Sequence, residues 1–143
     1  EEGEPLVRNL AKLGVSPLDV TLVILTHLHF DHAGGCTRRN VKGGVELVFP
    51  NAEHVVQRTE WEDAASRRPE LAGSYFEEDF LPIEEQGRLR LLEGDEKIAP
   101  GLRGRLVGGH TRGMQTIEIG AQPNGAPIAV ALADLVPSTL HLK

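Results

Sequence analysis

Residues 26–35 read THLHFDHAGG and place His27, His29, Asp31 and His32 within six positions. Neutral imidazole and carboxylate are the usual ligands of zinc and related divalent ions, so this composition points to metal binding. The run before it, residues 20–26 (VTLVILT), is almost wholly apolar and rich in β-branched residues. That pattern predicts a strand buried on both faces. At its carboxyl end His27 and His29, two apart, point the same way. Asp31 and His32 follow where the chain has begun to turn and face elsewhere. Gly34 and Gly35 then permit close backbone approach. One loop can thus offer His27 and His29 to one ion, and Asp31 and His32 to a second.

Two other strand ends carry residues of the same type. His110 stands in GGHTRG (residues 108–113), after an apolar strand, and Asp134 closes the apolar run at 128–132. A single strand-end His or Asp is the ordinary material of turns and caps. The informative point is agreement: three apolar strands each deliver a metal-type group at the carboxyl end.

The elements that must position these groups are legible in outline. Residues 5–13 have helical spacing, with Leu6, Leu10 and Leu13 on one stripe and Gly14 as the stop. Residues 45–49 and 53–58 read as strands, the second carrying His54 as a surface residue. Thr59-Glu60-Trp61-Glu62 and Ser74-Tyr75-Phe76-Glu77 both fit a capping box. They predict one helix toward Arg68 and a short one toward Phe80. Strands follow at 88–92 and 102–107 around the turn 93–95, and at 115–120 and 127–132 around Asn124-Gly125, a hairpin signal. In the segment 60–82, Trp61, Tyr75, Phe76 and Phe80 could wall a substrate site, with Tyr75 as a donor to an oxyanion. Helix packing onto the sheets is the simpler reading.

Composition bounds the function. A chain of 143 residues suffices for one domain with a core, expected over 1–143. The net charge of −6 argues against nucleic acid as a partner, since phosphate binding needs clustered Lys and Arg. Arg38-Arg39 and Arg67-Arg68 read as solvated surface. The one cysteine, Cys36, excludes an intramolecular disulfide and reads as a small packing residue rather than a ligand. No apolar run approaches the roughly 20 residues of a membrane span, and no signal peptide is visible. The expectation is therefore a cytoplasmic protein with a small-molecule partner. Oligomeric state leaves no signature.

The motif set resembles that of the metallo-β-lactamase-fold hydrolases. The His27-x-His29-x-Asp31-His32 run matches their metal motif, His110 in Gly-His-Thr matches their next histidine ligand, and Asp134 matches their bridging carboxylate. The resemblance implies an α/β fold, an αββα sandwich, with the site at one edge of the two sheets. It implies that His27, His29 and His110 hold one ion, that Asp31 and His32 hold a second, and that Asp134 lies between them. The ions would be two divalent metals, zinc first, with iron, manganese or cobalt as alternatives. Two departures stand out. The family's last histidine has no counterpart here, since His141 lies too close to Asp134, and the family's first strands have none before Glu1. The chain is therefore expected to lack N- and C-terminal parts of the domain. Met114 stands where many relatives carry another histidine, a position that is not a ligand in the family.

The activity implied is that of a dinuclear metal-dependent hydrolase. A metal-bound hydroxide would attack the substrate, with Asp31 orienting the nucleophile or passing its proton on. The run from His27 to Gly35 is most similar to acyl-homoserine-lactonase relatives, which favours a lactone or other carboxylic ester. Thioester, phosphotriester and β-lactam hydrolysis, an iron-dependent persulfide dioxygenase, and a non-catalytic metal-binding fragment are the alternatives.

Overall fold

The structure, a computed structural model, describes residues 5–142. The expected domain of 1–143 therefore includes residues 1–4 and 143, which lie outside the described residues. The chain opens with α1 (Pro5–Lys12) and a capped turn at Pro17–Asp19. Then come β1 (Leu22–Ile24), the single turn α2 (Phe30–Ala33), β2 (Thr37–Arg39), β3 (Val45–Leu47) and β4 (Glu53–Gln57). Two helices follow, α3 (Arg58–Ala65) and α4 (Glu77–Glu85). Five strands complete the core: β5 (Leu89–Leu92), β6 (Glu96–Ala99), β7 (Leu102–Leu106), β8 (Gln115–Ile119) and β9 (Ala129–Ala131).

These elements build a mixed α/β fold. β1, β4 and β5 form a parallel sheet in the order β1-β4-β5, and β6 to β9 form an antiparallel sheet in sequence order. β2 and β3 pair as a separate hairpin. The Val55-Val56 pair of β4 shows how one apolar run serves two layers. Successive strand side chains face opposite ways. Val55 enters the layer between the sheets with Leu92, Ile98 and Ile117. Val56 enters the layer against the helices with Trp61, Phe80 and Ile83. Cys36 lies in that second layer, where burial and then Asp79 push its thiol up to about 12, an inert packing residue as expected. Among the described residues no helix is long and apolar enough to cross a membrane.

Several element boundaries differ from expectation, each for a physical reason. β1 is shorter than residues 20–26 and only half-buried, because it forms the edge of its sheet among the described strands. Thr59 does not cap α3. The helix starts at Arg58, straight off β4, and Gln57 at the cap position turns its amide to Gly94 instead. Ser74 does not cap α4 either. That helix begins at Glu77, where three acidic residues in the first turn complement the helix dipole, and it runs past Phe80 to Glu85. β6, too short and charged to stand out in the sequence, is held by Arg90, which donates to Glu96 and to the Ile98 carbonyl.

Polar contacts pin the two sheets together at one end. Gln57 donates to Gln115 Oε1 at 2.9 Å, and Gln115 donates to the Leu25 carbonyl at 2.8 Å. The Gln115 backbone N–H reaches the Thr26 carbonyl at 2.9 Å. All of these side chains are buried, where a satisfied polar network specifies one arrangement.

His54 is a correction. Expected on the surface, it is fully buried in β4, and neither ring nitrogen meets a partner at hydrogen-bonding geometry. Alternation puts it on the helix-facing side with Val56. Burial lowers its pKa below 6.5, against the pull of the Ala52 and Arg88 carbonyls. The unfolded chain therefore binds the extra proton first as pH falls, so the contribution is intact above 6.5 and erodes below it. A His54→Leu variant is expected to show a shallower loss of unfolding free energy between pH 6.5 and 5 than the parent. Denaturant titrations of both full-length proteins in chelator check this, and identical slopes would refute it.

Candidate metal centre

Three loops meet at the pinned end of the sheets. The first leaves β1 at Leu25 and carries His27 and His29 into α2, which presents Asp31 and His32. The second joins β7 to β8. Gly108 and Gly109, both at positive φ, swing it outward so that His110 returns toward the first loop. The third follows β9 and carries Asp134 in a short 3-10 turn. Ala133, immediately before it, adopts φ +44°, a left-handed conformation that costs an L-residue about 1–2 kcal/mol.

The imidazoles form one cluster with His27 at its centre. Its ring centroid lies 4.1 Å from that of His32, 4.8 Å from His29 and 5.0 Å from His110. His110 Nε2 is 3.1 Å from His29 Nδ1. Asp134 reaches both sides of the cluster, with Oδ1 3.3 Å from His32 Nε2 and Oδ2 3.4 Å from His110 Nε2. Ligand-type atoms of His27, His29 and His110 fall within 4.8 Å of one another, as do those of His27, His32 and Asp134. The structure thus brings five of the six expected ligands together. Asp31 sits at the rim, 57% exposed, with its Oδ2 3.7 Å from His32 Nε2. His141, in the turn after Asp134, is exposed and bonds to Ser138 instead.

The donor chemistry fits a pair of divalent cations. His27 is fully buried, its Nδ1 is 3.1 Å from the Thr26 hydroxyl, and its Nε2 has no partner. With Nδ1–H donating to Thr26, the Nε2 lone pair faces the cluster, the arrangement in which a metal-binding histidine is held by its second nitrogen. Burial, then the neighbouring His32, His29 and His110, lower the His27 pKa to about 4. Burial and His110 lower that of His29 as well. Both rings therefore stay neutral, with lone pairs available, at ordinary pH.

The aromatic segment divides. Trp61, Tyr75 and Phe80 are buried packing residues, and the Tyr75 hydroxyl donates to Glu60 rather than facing a substrate. Phe76 is exposed and stacks on Phe30, beside the cluster, with centroids 5.1 Å apart. A cavity of about 310 Å³ opens next to His29 and His110, lined also by Tyr75, Leu71 and Arg112. Sequence reasoning missed Glu60, which is fully buried behind the cluster. It lies inside the apparent capping box at 59–62, and nothing local signals its burial.

A family model described as the metallo-beta-lactamase superfamily matches residues 1–135. The N-acyl homoserine lactonase of Bacillus thuringiensis is 33% identical over 125 residues, covering 87% of this chain and 43% of the relative. A probable metal-dependent hydrolase from Staphylococcus aureus superposes with a TM-score of 0.83 at 31% identity, over 99% of this chain and 48% of the other. An N-acyl homoserine lactone hydrolase, solved with the product N-hexanoyl-L-homoserine at its catalytic metal centre, gives a TM-score of 0.60 at 35% identity, over 79% and 38%. The chain thus spans less than half the length of the relatives it matches.

Metal is expected to stabilise the protein by about 2.7 kcal/mol when free zinc stands 100-fold above its dissociation constant. Thermal unfolding with zinc and with chelator measures the effect. Alanine at His27 or at His110 should reduce both the shift and the bound metal found by elemental analysis, and an unchanged metal content in either variant removes that residue from the centre.

Proposed function

Because the chain belongs to the metallo-beta-lactamase superfamily, we propose that its imidazole–carboxylate cluster holds two divalent cations, zinc first, and that the protein hydrolyses a lactone or another carboxylic ester. The observation that carries the metal reading is the buried, unpartnered Nε2 of His27, facing three imidazoles and Asp134. His27, His29 and His110 would hold one cation, His32 with Asp31 the other, and Asp134 would lie between. Cations held there supply Lewis acidity and lower the pKa of water toward about 7.

The chain's own residues account for the rest of the chemistry. Water adds to the ester carbonyl carbon, and one of its protons passes to Asp31 Oδ2, the exposed carboxylate at the rim. As the C–O bond breaks, that proton returns to the leaving oxygen, which in a lactone stays tethered to the product as a hydroxyl. The balance is one water consumed and one hydroxy acid formed. General acid–base help of this kind contributes typically about 10²–10⁴-fold. The exposed Phe30–Phe76 stack offers an apolar, rigid surface beside the cluster, suited to an acyl chain. The similarity to N-acyl homoserine lactonases supports a substrate of that class.

The full-length protein reconstituted with zinc is expected to open N-acyl homoserine lactones, with product measured by chromatography. Asp31→Asn should lower kcat by about 10²–10⁴-fold and reduce the metal bound beside His32. Turnover of thioesters or phosphotriesters but not of lactones would overturn the substrate assignment.

A further inference from the structure

Glu60 is a carboxylate with no exposed surface, in the first turn of α3, directly behind the imidazole cluster. An acid is almost never buried in this way unless it is paired. The described ion pairs include none to Glu60; three hydrogen-bond donors from three separate segments surround it instead. The Leu28 backbone N–H, between His27 and His29, donates to Oε1 at 3.0 Å. The Tyr75 hydroxyl donates to the same oxygen at 3.0 Å. The Thr111 hydroxyl, next to His110, donates to Oε2 at 2.6 Å. Three donors around an acceptor-only group is the pattern of an ionised carboxylate.

The loop around His110 is fitted to this helix. A Cβ on Gly113 would overlap the backbone N and Cα of Glu60, so the loop closes against α3 where no side chain fits. One turn on, Asp63 accepts two bonds from Arg112, at 2.9 and 2.8 Å. Two carboxylates on α3 therefore hold Thr111, the Arg112 that follows it and Leu28, the residue before His29. Tyr75 completes the arrangement: held by Glu60, its ring lies edge-on to His29 with centroids 4.9 Å apart.

We propose that Glu60 is a positioning residue for the metal centre, a buried anion that ties the His27–His29 loop to the His110 loop and offsets the cations' charge. The inference rests on the metal reading above but not on the substrate. Its role is electrostatic as well as geometric. A fixed negative charge in a poorly solvated place stabilises nearby cations far more than it would in water. It also sets the distance between His29 and His110, which approach from loops 81 positions apart.

Glu60→Gln separates the two contributions. The amide keeps an oxygen for the Leu28 N–H and Tyr75, and its NH2 can donate to the Thr111 hydroxyl, which rotates to accept. Geometry survives while the charge is lost. Outer partners of metal ligands are worth about 10- to 100-fold in affinity. Competition titrations of metal-free, full-length protein with zinc against a chelator should show the metal bound 10-fold or more weakly in Glu60→Gln. Thr111→Val, which removes one donor, should weaken it as well, by a smaller factor. The cobalt-substituted spectrum should shift in Thr111→Val, and unfolding of the metal-free proteins should stay close to the parent. Should Glu60→Gln not fold, Thr111→Val and Tyr75→Phe carry the same test. Parent-like zinc affinity in the folded variants overturns the proposal, even if lactone turnover is confirmed. Weakened affinity without any lactone turnover in the parent sustains it and overturns the substrate reading alone.

Discussion

A ring nitrogen that is buried without a partner costs free energy, and His27 Nε2 is such an atom. The other ring nitrogen is committed to the Thr26 hydroxyl, so the ring cannot turn to relieve the deficit without losing that contact. Three more imidazoles and a carboxylate crowd the same corner. Protonating His27 would not help, because burial and the neighbouring His32, His29 and His110 all disfavour its charge. A divalent cation placed there would accept the lone pairs and bring positive charge for Asp134. The composition of the corner thus suits such an occupant.

Holding that corner in shape falls to groups that never touch it. The ligand-bearing segments are loops with little core of their own. They are fixed from below by Gln115 and Gln57, which tie the end of β1 to the start of β8 across the two sheets. They are fixed from behind by Glu60, which ties the first loop to the second. The sheets themselves need only supply parallel, staggered ends. Their packing is ordinary aliphatic contact around Val55, Leu92 and Ile117. Chemistry is confined to loops, and rigidity is borrowed from a few buried polar bonds with defined direction.

This division explains what could be read in the residues alone. The His27–His32 run is dense and local, so its meaning needs no tertiary knowledge. His110 and Asp134 became legible through family resemblance and through the shared position at strand ends. The helices, hairpin and most strands follow from apolar spacing and turn residues. Glu60 and His54 could not be read, because whether a polar side chain is buried depends on elements tens of residues away. Nothing local marks Glu60 as buried, and His54 reads simply as a strand surface residue. The capping boxes misled for a related reason. β4 runs into α3 without a turn, and Gln57, at the cap, is recruited by Gly94 across the sheet boundary. A long-range partner outcompeted the local rule.

Asp134 draws the consequence for folding. It is carried by the strand order of the antiparallel sheet, whereas His27, His29 and His32 follow the parallel one. The carboxylate reaches both His32 and His110 from a segment in which Ala133 holds a left-handed conformation, disfavoured on its own. Cations between Asp134 and these imidazoles would join the two sheets through their loops and offset the strain at Ala133. Metal binding and closure of the sandwich at this end would then be a single linked equilibrium. Whatever stabilises one stabilises the other, and a change behind the centre that loosens the loops is felt as weaker metal before it is felt as a lost fold.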